Sequence, residues 1–159
     1  MIAIVGASCS SSPGDPLGSQ CIEVSGVGST TGDSSGLHGD ATFSFDGVDR
    51  ATGVGIYLIN MVEQPDGSFS LNVVYQFSWP NGDLILTDDP IRFAPTLFPD
   101  TYTFALTMTI TSGRGMFEAY AGQRPLSINA TVTFGPPETP GGPPTMVEEF
   151  TLGGQLCGA

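Results

Sequence analysis

The sequence contains no lysine, and its only basic residues are four arginines set against sixteen aspartates and glutamates, for a net charge of −12. A negative charge of this size repels nucleic-acid phosphates and anionic lipid head groups. We therefore expect no nucleic-acid partner and no electrostatic docking to a membrane. No apolar run approaches the ~20 residues that cross a bilayer, so no transmembrane segment is expected either.

Residues for the common catalytic and metal-binding motifs are also scarce. His38 is the only histidine, and there is no Cys-x-x-Cys pair or Gly-x-Ser-x-Gly elbow, which argues against a zinc site and a serine triad. The glycines at 113 and 115 lack the strand-to-helix context of a nucleotide loop. In the pairs Asp88-Asp89 and Glu148-Glu149, adjacent strand residues point to opposite faces and form no ready calcium cage. We expect no metal and no cofactor.

The chain of 159 residues has room for one domain, which we assign to residues 20–159. Residues 1–19 are predicted to be a flexible segment. There, the apolar stretch 1–8 runs into Cys9 and a Ser/Pro-rich tether, which loosely resembles a lipoprotein processing site. The stretch is uncharged and too short for a complete signal peptide. A truncated signal and an ordinary first strand or frayed terminus both remain open.

Cys21 and Cys157 lie near the two ends of the predicted domain. In an exported protein they can pair and close a long loop, worth roughly 4–5 kcal/mol in the chain-entropy model. Cys9 is then left free or lipidated, whereas in a reducing compartment all three are thiols. Together with the missing lysine and the abundance of serine, glycine and threonine, this favours an exported or cell-surface protein. A cytoplasmic location stays open.

Period-two alternation of apolar and polar residues dominates the rest of the chain, and no amphipathic helix of ten or more residues is evident. Abundant glycine and proline and a low charged fraction exclude a helical bundle. The pattern predicts strands at 20–25, 41–45, 54–63, 68–79, 84–87 (reaching toward 93), 102–111, 116–121, 126–134 and 146–152. The Ser/Gly-rich stretches 10–20 and 26–39 and the proline-rich stretch 135–144 are predicted loops.

Strands joined by short turns predict an all-β fold, specifically a closed antiparallel up-and-down barrel of about eight strands, because closure removes the sheet edges. A β-sandwich is the alternative. The alternation predicts which side chains point mostly inward: Phe69, Leu71, Val73, Tyr75, Phe77, Tyr102, Phe104, Leu106, Leu126, Ile128 and Val132.

The strand at 54–63 departs from strict alternation. Ile56, Leu58 and Val62 share one face, but Ile59 and Met61 on the other face are also apolar. A strand that is apolar on both faces is usually buried on both. This favours a homo-oligomer, with coverage by the N-terminal arm as the alternative.

The segment ITSGRGMFEAYAGQ at 110–123 closely resembles a signature of plant allene oxide cyclases, in which a glycine turn leads into Gly-x-Phe-Glu-Gly-x-Tyr-Gly-Gln. Ala119 stands where the family tends to have glycine, and the matching residues are Gly113, Gly115, Phe117, Glu118, Tyr120, Gly122 and Gln123. Weaker similarity at 52–60, 68–79 and 101–102 extends the resemblance over roughly residues 22–134. Dirigent proteins share a similar glycine turn. From the residues alone, the glycines permit positive φ or close backbone approach, and Phe117 fills the end of the barrel.

The resemblance implies an eight-stranded barrel, a trimer, and cofactor-free cyclisation of an unstable fatty-acid epoxide inside an apolar lumen. The family carboxylate matches Glu23. The other polar positions fall on Ser25, on Tyr57 and near Phe45 or Asp46, none of which keeps the family's residue type. We therefore do not expect the plant reaction itself.

Two functions remain open. The first is a cofactor-independent cyclase or isomerase that holds a reactive apolar small molecule in the lumen, with Glu23, Tyr57 and Tyr75 as catalytic candidates and Ser25, Phe77, Phe104 and Phe117 as ligand-binding candidates. The second is a non-catalytic exported barrel that binds an apolar ligand or serves as a structural module. An open cavity of roughly 300 Å³ or more with Glu23 in its wall favours the enzyme. A lumen filled by Phe77, Phe104 and their neighbours excludes it.

Overall fold

The computed structural model describes residues 21–93 and 101–157, so the predictions for residues 1–19, including Cys9, lie outside the described residues. The described part contains one short 3₁₀ helix, Gly115–Tyr120, and ten strands. The strands are β1 (Cys21–Asp33), β2 (Gly36–Phe45), β3 (Val48–Glu63), β4 (Phe69–Ser78), β5 (Leu84–Thr87), β6 (Asp89–Phe93), β7 (Thr101–Met108), β8 (Ile110–Arg114), β9 (Leu126–Gly135) and β10 (Thr145–Cys157).

All strands join one antiparallel sheet in the order β7-β9-β10-β1-β2-β3-β4-β5-β8, with β6 paired to β4 beside β5. The sheet curls into a half-barrel, which confirms the predicted all-β antiparallel fold. Its two outermost strands, β7 and β8, are successive in the chain and are separated only by Thr109. The Asp88 N–H donates to the Thr109 carbonyl at 3.3 Å, and the Thr109 N–H donates to the Asp89 carboxylate at 3.0 Å.

The prediction of a loop at 26–39 is wrong, because this stretch forms most of β1 and the start of β2. The small residues there serve packing inside the curled sheet. A Cβ on Gly28 would overlap the ring of Phe150 and come within 2.8 Å of the Ala41 Cβ. The absence of a side chain at Gly28 leaves space that the Phe150 ring of β10 occupies.

The predicted strand at 116–121 is also wrong, since the 3₁₀ helix occupies this stretch. Gly115 has φ 65°, a left-handed conformation that turns the chain out of β8. In a 3₁₀ helix residues three apart lie on the same side, and here Phe117 and Tyr120 are both buried. The Asp83 carboxylate accepts the Met116 N–H at 3.3 Å and holds the start of the helix.

The inner face of one half of the sheet is filled by aromatic rings. This aromatic half consists of Phe43, Phe45, Phe77, Trp79 and Phe117, all buried. Ring centroids are 5.0 Å apart for Phe43 and Phe77, 5.2 Å for Phe43 and Trp79, and 4.8 Å for Trp79 and Phe117. All of the residues predicted to point inward are buried or half-buried.

A disulfide joins Cys21 and Cys157, the two cysteines whose pairing the sequence left open. The two cysteines face each other in the register of β1 and β10, with their Cα atoms 4.0 Å apart. On β3, the apolar side chains beyond the buried Ile56 reach solvent. Ile59, Met61 and Val62 are 39%, 43% and 54% exposed.

Candidate functional site

The other half of the curled sheet encloses a cavity of about 310 Å³. We call this region the open half. Its lining is almost entirely apolar and consists of Ser34, Leu37, Leu58, Met61, Phe69, Leu71, Val73, Ile91, Tyr102, Phe104, Val132, Phe134, Pro144, Met146 and Glu148. Because Ser34, Met61 and Pro144 are exposed, the cavity opens to solvent at this rim.

Glu148 is the one acidic or basic side chain among these lining residues, and it is only 3% exposed. The alternation of β10 explains its position, since Met146 and Phe150 on either side are buried while Val147 and Glu149 are exposed. The strand thus places one carboxyl group inside the sheet and the next one outside.

The Tyr75 hydroxyl donates a 2.6 Å hydrogen bond to Glu148 Oε1. Tyr75 is completely buried on β4, and its ring centroid lies 5.9 Å from that of Phe77 and 6.2 Å from that of Phe150. The Tyr75 backbone N–H also donates to the buried Thr87 hydroxyl at 3.3 Å. The Glu148–Tyr75 pair therefore lies where the aromatic half meets the cavity, and the packed rings fix its geometry.

Burial changes the acid–base properties of both groups. It raises the pKa of Glu148 to about 7, although the hydrogen bond from Tyr75 opposes the shift. The pKa of Tyr75 is raised well above its ordinary value, mainly by burial and secondly by the nearby charge of Glu148. Tyr75 is therefore a neutral donor, while Glu148 can both give and take a proton near neutral pH.

A third polar group lies beside this pair. Thr30 is 1% exposed and stands directly opposite Glu148 in the register of β1 and β10. Its hydroxyl has no hydrogen-bond partner within residues 21–93 and 101–157. Buried hydroxyls are nearly always paired, so this one marks a place where a partner is missing.

Of the residues predicted from sequence, Tyr75 and Phe104 belong to this region. Tyr75 bonds to Glu148, and Phe104 lines the cavity. Phe77 and Phe117 are buried in the aromatic half and do not line the cavity.

Glu23, Ser25 and Tyr57 lie away from the cavity. Glu23 and Ser25 are exposed on β1, whose inner face carries the buried Val24. Tyr57 is half-buried, with its ring centroid 5.8 Å from that of His38 in an edge-on contact. Glu23 is therefore not in the cavity wall, and the cavity gives no support to the predicted roles of these three residues.

The sequence did hold a signal for Glu148. It occupies the same phase of the alternation as Met146, Phe150 and Leu152, all of which are buried. An acidic residue in the apolar phase of a strand is either paired or functional, because an unpaired buried charge is costly. The sequence places Glu148 and Glu149 on opposite faces of a strand, but we used this only to exclude a calcium site.

A scan against protein-family models finds no matching family, and a search of curated proteins finds no significant match. Fold and site therefore define the class of this protein: a curled antiparallel β-protein with an apolar cavity and one buried acid–base pair. Among residues 21–93 and 101–157, no helix has the length and apolarity needed to cross a membrane.

Proposed function

We propose that this protein binds a small apolar molecule in the cavity of the open half and rearranges it by cofactor-free acid–base chemistry at Glu148. The observation that carries the proposal is a single buried carboxyl group in the wall of an otherwise apolar cavity. Its volume of about 310 Å³ is at the lower end of the range for small-molecule sites, so the ligand is small.

The geometry suits a cyclisation or isomerisation. Protonated Glu148 can donate to an epoxide or carbonyl oxygen of the substrate, and as a carboxylate it can then take a proton from a neighbouring carbon. No atoms are gained or lost, so no co-substrate is needed. Tyr75 holds the carboxyl group in place through Oε1. The apolar lining keeps water away and holds the substrate in a reactive conformation.

We further propose that the chain is a divergent relative of the allene oxide cyclase-like barrels and that its sheet closes into eight strands. The continuity of β7 and β8 through Thr109, together with the Asp88 and Asp89 contacts to Thr109, supports closure. In this relationship the functional carboxyl group has moved from β1, where Glu23 is exposed, to Glu148 on β10.

The second candidate is a non-catalytic barrel that binds an apolar ligand. Two observations favour it: rings fill the aromatic half, and Tyr75 already satisfies one carboxyl oxygen of Glu148. Such a pair can serve as a structural contact only, with binding confined to the open half.

Titration with the neutral fluorescent probe N-phenyl-1-naphthylamine tests the binding step common to both candidates. We expect saturable binding that weakens at least about tenfold in Val132→Phe, which fills the cavity. Val147→Phe on the exposed face of β10 is the matched control and should bind normally. Absence of saturable binding would rule out both candidates.

Turnover separates the two candidates. Purified protein is incubated with a panel of apolar epoxides and unsaturated ketones, and products are identified by gas chromatography and mass spectrometry. For the enzyme, Glu148→Gln should abolish product formation without loss of probe binding, while Glu149→Gln should have no effect. Probe binding without turnover of any compound favours the non-catalytic candidate.

Export and assembly complete the proposal. The Cys21–Cys157 disulfide supports an exported or cell-surface location, because disulfides persist in oxidising compartments. Intact mass before and after reduction tests the disulfide in protein purified from its native compartment.

The exposed Ile59, Met61 and Val62 support a homo-oligomer, for which the family resemblance implies a trimer. Sedimentation at micromolar concentration tests the assembly, and a purely monomeric particle contradicts it.

A further inference from the structure

One unused donor lies opposite one unused acceptor at the cavity-lining residue Glu148. Thr30 lies opposite Glu148, and its hydroxyl has no partner within the described residues. The Tyr75 hydroxyl occupies Oε1 of Glu148, and no donor from residues 21–93 and 101–157 is found on Oε2. Directly opposed strand residues bring their Cβ atoms to about 5 Å, a separation that one small polar group can bridge.

Thr30 does not itself line the cavity, but its neighbours on two strands do. Leu37 on β2 and Met146 on β10 are its diagonal neighbours, because both pair with Gly32, two residues further along β1. Leu37, Met146 and Glu148 all line the cavity. The threonine hydroxyl is thus surrounded on two strands by cavity-lining residues.

The charges around the cavity argue against an anionic ligand group at this end. None of the lining residues is basic. Arg50 lies 3.9 Å from Asp83, and Arg92 pairs with Asp66 in solvent. Arg124 donates to the Thr107 carbonyl, and Arg114 is exposed at the end of β8. A carboxylate or phosphate group of a ligand bound there would therefore have no counter-ion and would lie beside the carboxyl group of Glu148.

From these contacts we propose that the ligand carries a neutral hydroxyl group that bridges Thr30 and Glu148, so that the cavity selects small apolar alcohols or phenols over hydrocarbons and over carboxylic acids. A hydroxyl group both accepts and donates, so it takes the Thr30 proton and gives its own to the free oxygen of Glu148. The proposal names the ligand class of the cavity and therefore rests on the ligand binding proposed above.

Displacement of N-phenyl-1-naphthylamine by four compounds with one carbon skeleton tests this selection: 2-naphthol, 2-methoxynaphthalene, naphthalene and 2-naphthoate. We expect 2-naphthol to bind at least about tenfold more tightly than each of the others, because only its hydroxyl satisfies both protein groups. The methoxy compound can accept but not donate, and the naphthoate is charged.

Variants of Thr30 assign the preference to this residue. Thr30→Val keeps the branched shape and should bring 2-naphthol to within about threefold of naphthalene, with naphthalene affinity unchanged. Thr30→Ser restores a hydroxyl group and should restore the preference. Thr31→Val, on the exposed face of the same strand, is the matched control. Thermal melts verify that each variant is folded.

Equal affinities for 2-naphthol and naphthalene, or tighter binding of 2-naphthoate, would overturn the hydroxyl proposal and leave the binding function standing. A preference for 2-naphthol that survives in Thr30→Val would also overturn it. If the fluorescent probe itself does not bind, the proposed function fails, and that outcome is distinct from a loss of selectivity.

Discussion

The two halves of the curled sheet are built from the same alternating strands and yet differ in what fills them. On β4, Phe69, Leu71, Val73, Tyr75 and Phe77 all point inward. In the aromatic half, Phe77 at one end of this row meets Phe43, Trp79 and their neighbours, and the interior is filled. In the open half, Phe69, Leu71 and Val73 face mostly aliphatic side chains across a cavity of about 310 Å³.

The difference teaches that period-two alternation determines which side chains point inward but not whether they meet. Contact depends on the combined size of the residues that face one another across the lumen. The aromatic half, with the disulfide at its end, is filled by packed rings. The open half keeps the cavity and the buried Glu148–Tyr75 pair.

The largest effect should come from loss of the disulfide. Cys21 is three residues from Val24 on β1, and Val24 pairs with Phe45, so the bond lies at the end of the aromatic half. Replacing Cys21 and Cys157 together by serine should lower the free energy of unfolding by about 5 kcal/mol, because the bond closes a loop with a sequence separation of 136. Urea unfolding followed by tryptophan fluorescence measures the loss. A loss below about 1 kcal/mol would mean that the aromatic half does not depend on this bond.

The two halves should respond differently to the same truncation. Phe77→Ala should cost about 3–5 kcal/mol, because it leaves a void among packed rings. Phe104→Ala should cost about 1–2 kcal/mol, because this half-buried ring already borders open space. Urea unfolding of both variants makes the comparison. Equal losses would show that the open half is packed in solution.

Glu148 should make the protein less stable as the pH rises. Its pKa is about 7 in the folded state and 4.5 in the unfolded chain, so below pH 4.5 both states hold the proton and the residue has no effect. Between 4.5 and 7 the unfolded state releases the proton first, and stability falls. Above 7 the full penalty of about 3 kcal/mol remains. Glu148→Gln should remove this loss, and unfolding curves between pH 4 and 8 will measure it.

Glu149→Gln is the matched control, since Glu149 is the exposed neighbour on the same strand. It should leave the pH profile of the wild-type protein unchanged. Tyr75, the hydrogen-bond partner of Glu148, stays neutral in this range because its pKa is raised well above the ordinary value. A wild-type profile that is flat between pH 4.5 and 7 would contradict the burial of Glu148.

Much of the fold and a smaller part of the site could be predicted from the sequence. Long alternating segments such as β4, β7 and β9 were predicted within a few residues, because one face of each is continuously apolar. The inward positions of Tyr75 and Phe104 were predicted for the same reason. Glu148 was missed because its environment is created by β4 and β1, which are distant in sequence and contribute Tyr75 and Thr30.

The strands at 26–39 escaped prediction for a different physical reason. Glycine and serine favour turns when only their intrinsic preferences are considered. Here the large side chains belong to the neighbouring strand, and the glycines of β1 are the spaces they fill, as Phe150 does at Gly28. Small residues on β1 match large residues on β10, and the two strands are about 120 residues apart in the sequence. This match is not visible in either strand alone.

Gly28→Ala tests this explanation and should have the smallest effect of the four. The added methyl group would overlap the Phe150 ring and approach the Ala41 Cβ to 2.8 Å, so the ring must move. Phe150 packs against Tyr75 and Phe77, with centroids 6.2 Å from each, so the displacement reaches the boundary between the two halves. We expect a loss of about 1–3 kcal/mol in unfolding free energy.

Gly53→Ala on β3 is the matched control, because the nearest atom to its added Cβ is the Ser78 carbonyl oxygen at 3.8 Å. This variant should be neutral or slightly stabilising, since alanine restricts the unfolded chain more than glycine does. If Gly28→Ala is as stable as Gly53→Ala, the Phe150 ring does not occupy the space beside Gly28. The glycines of β1 would then need another explanation than packing against β10.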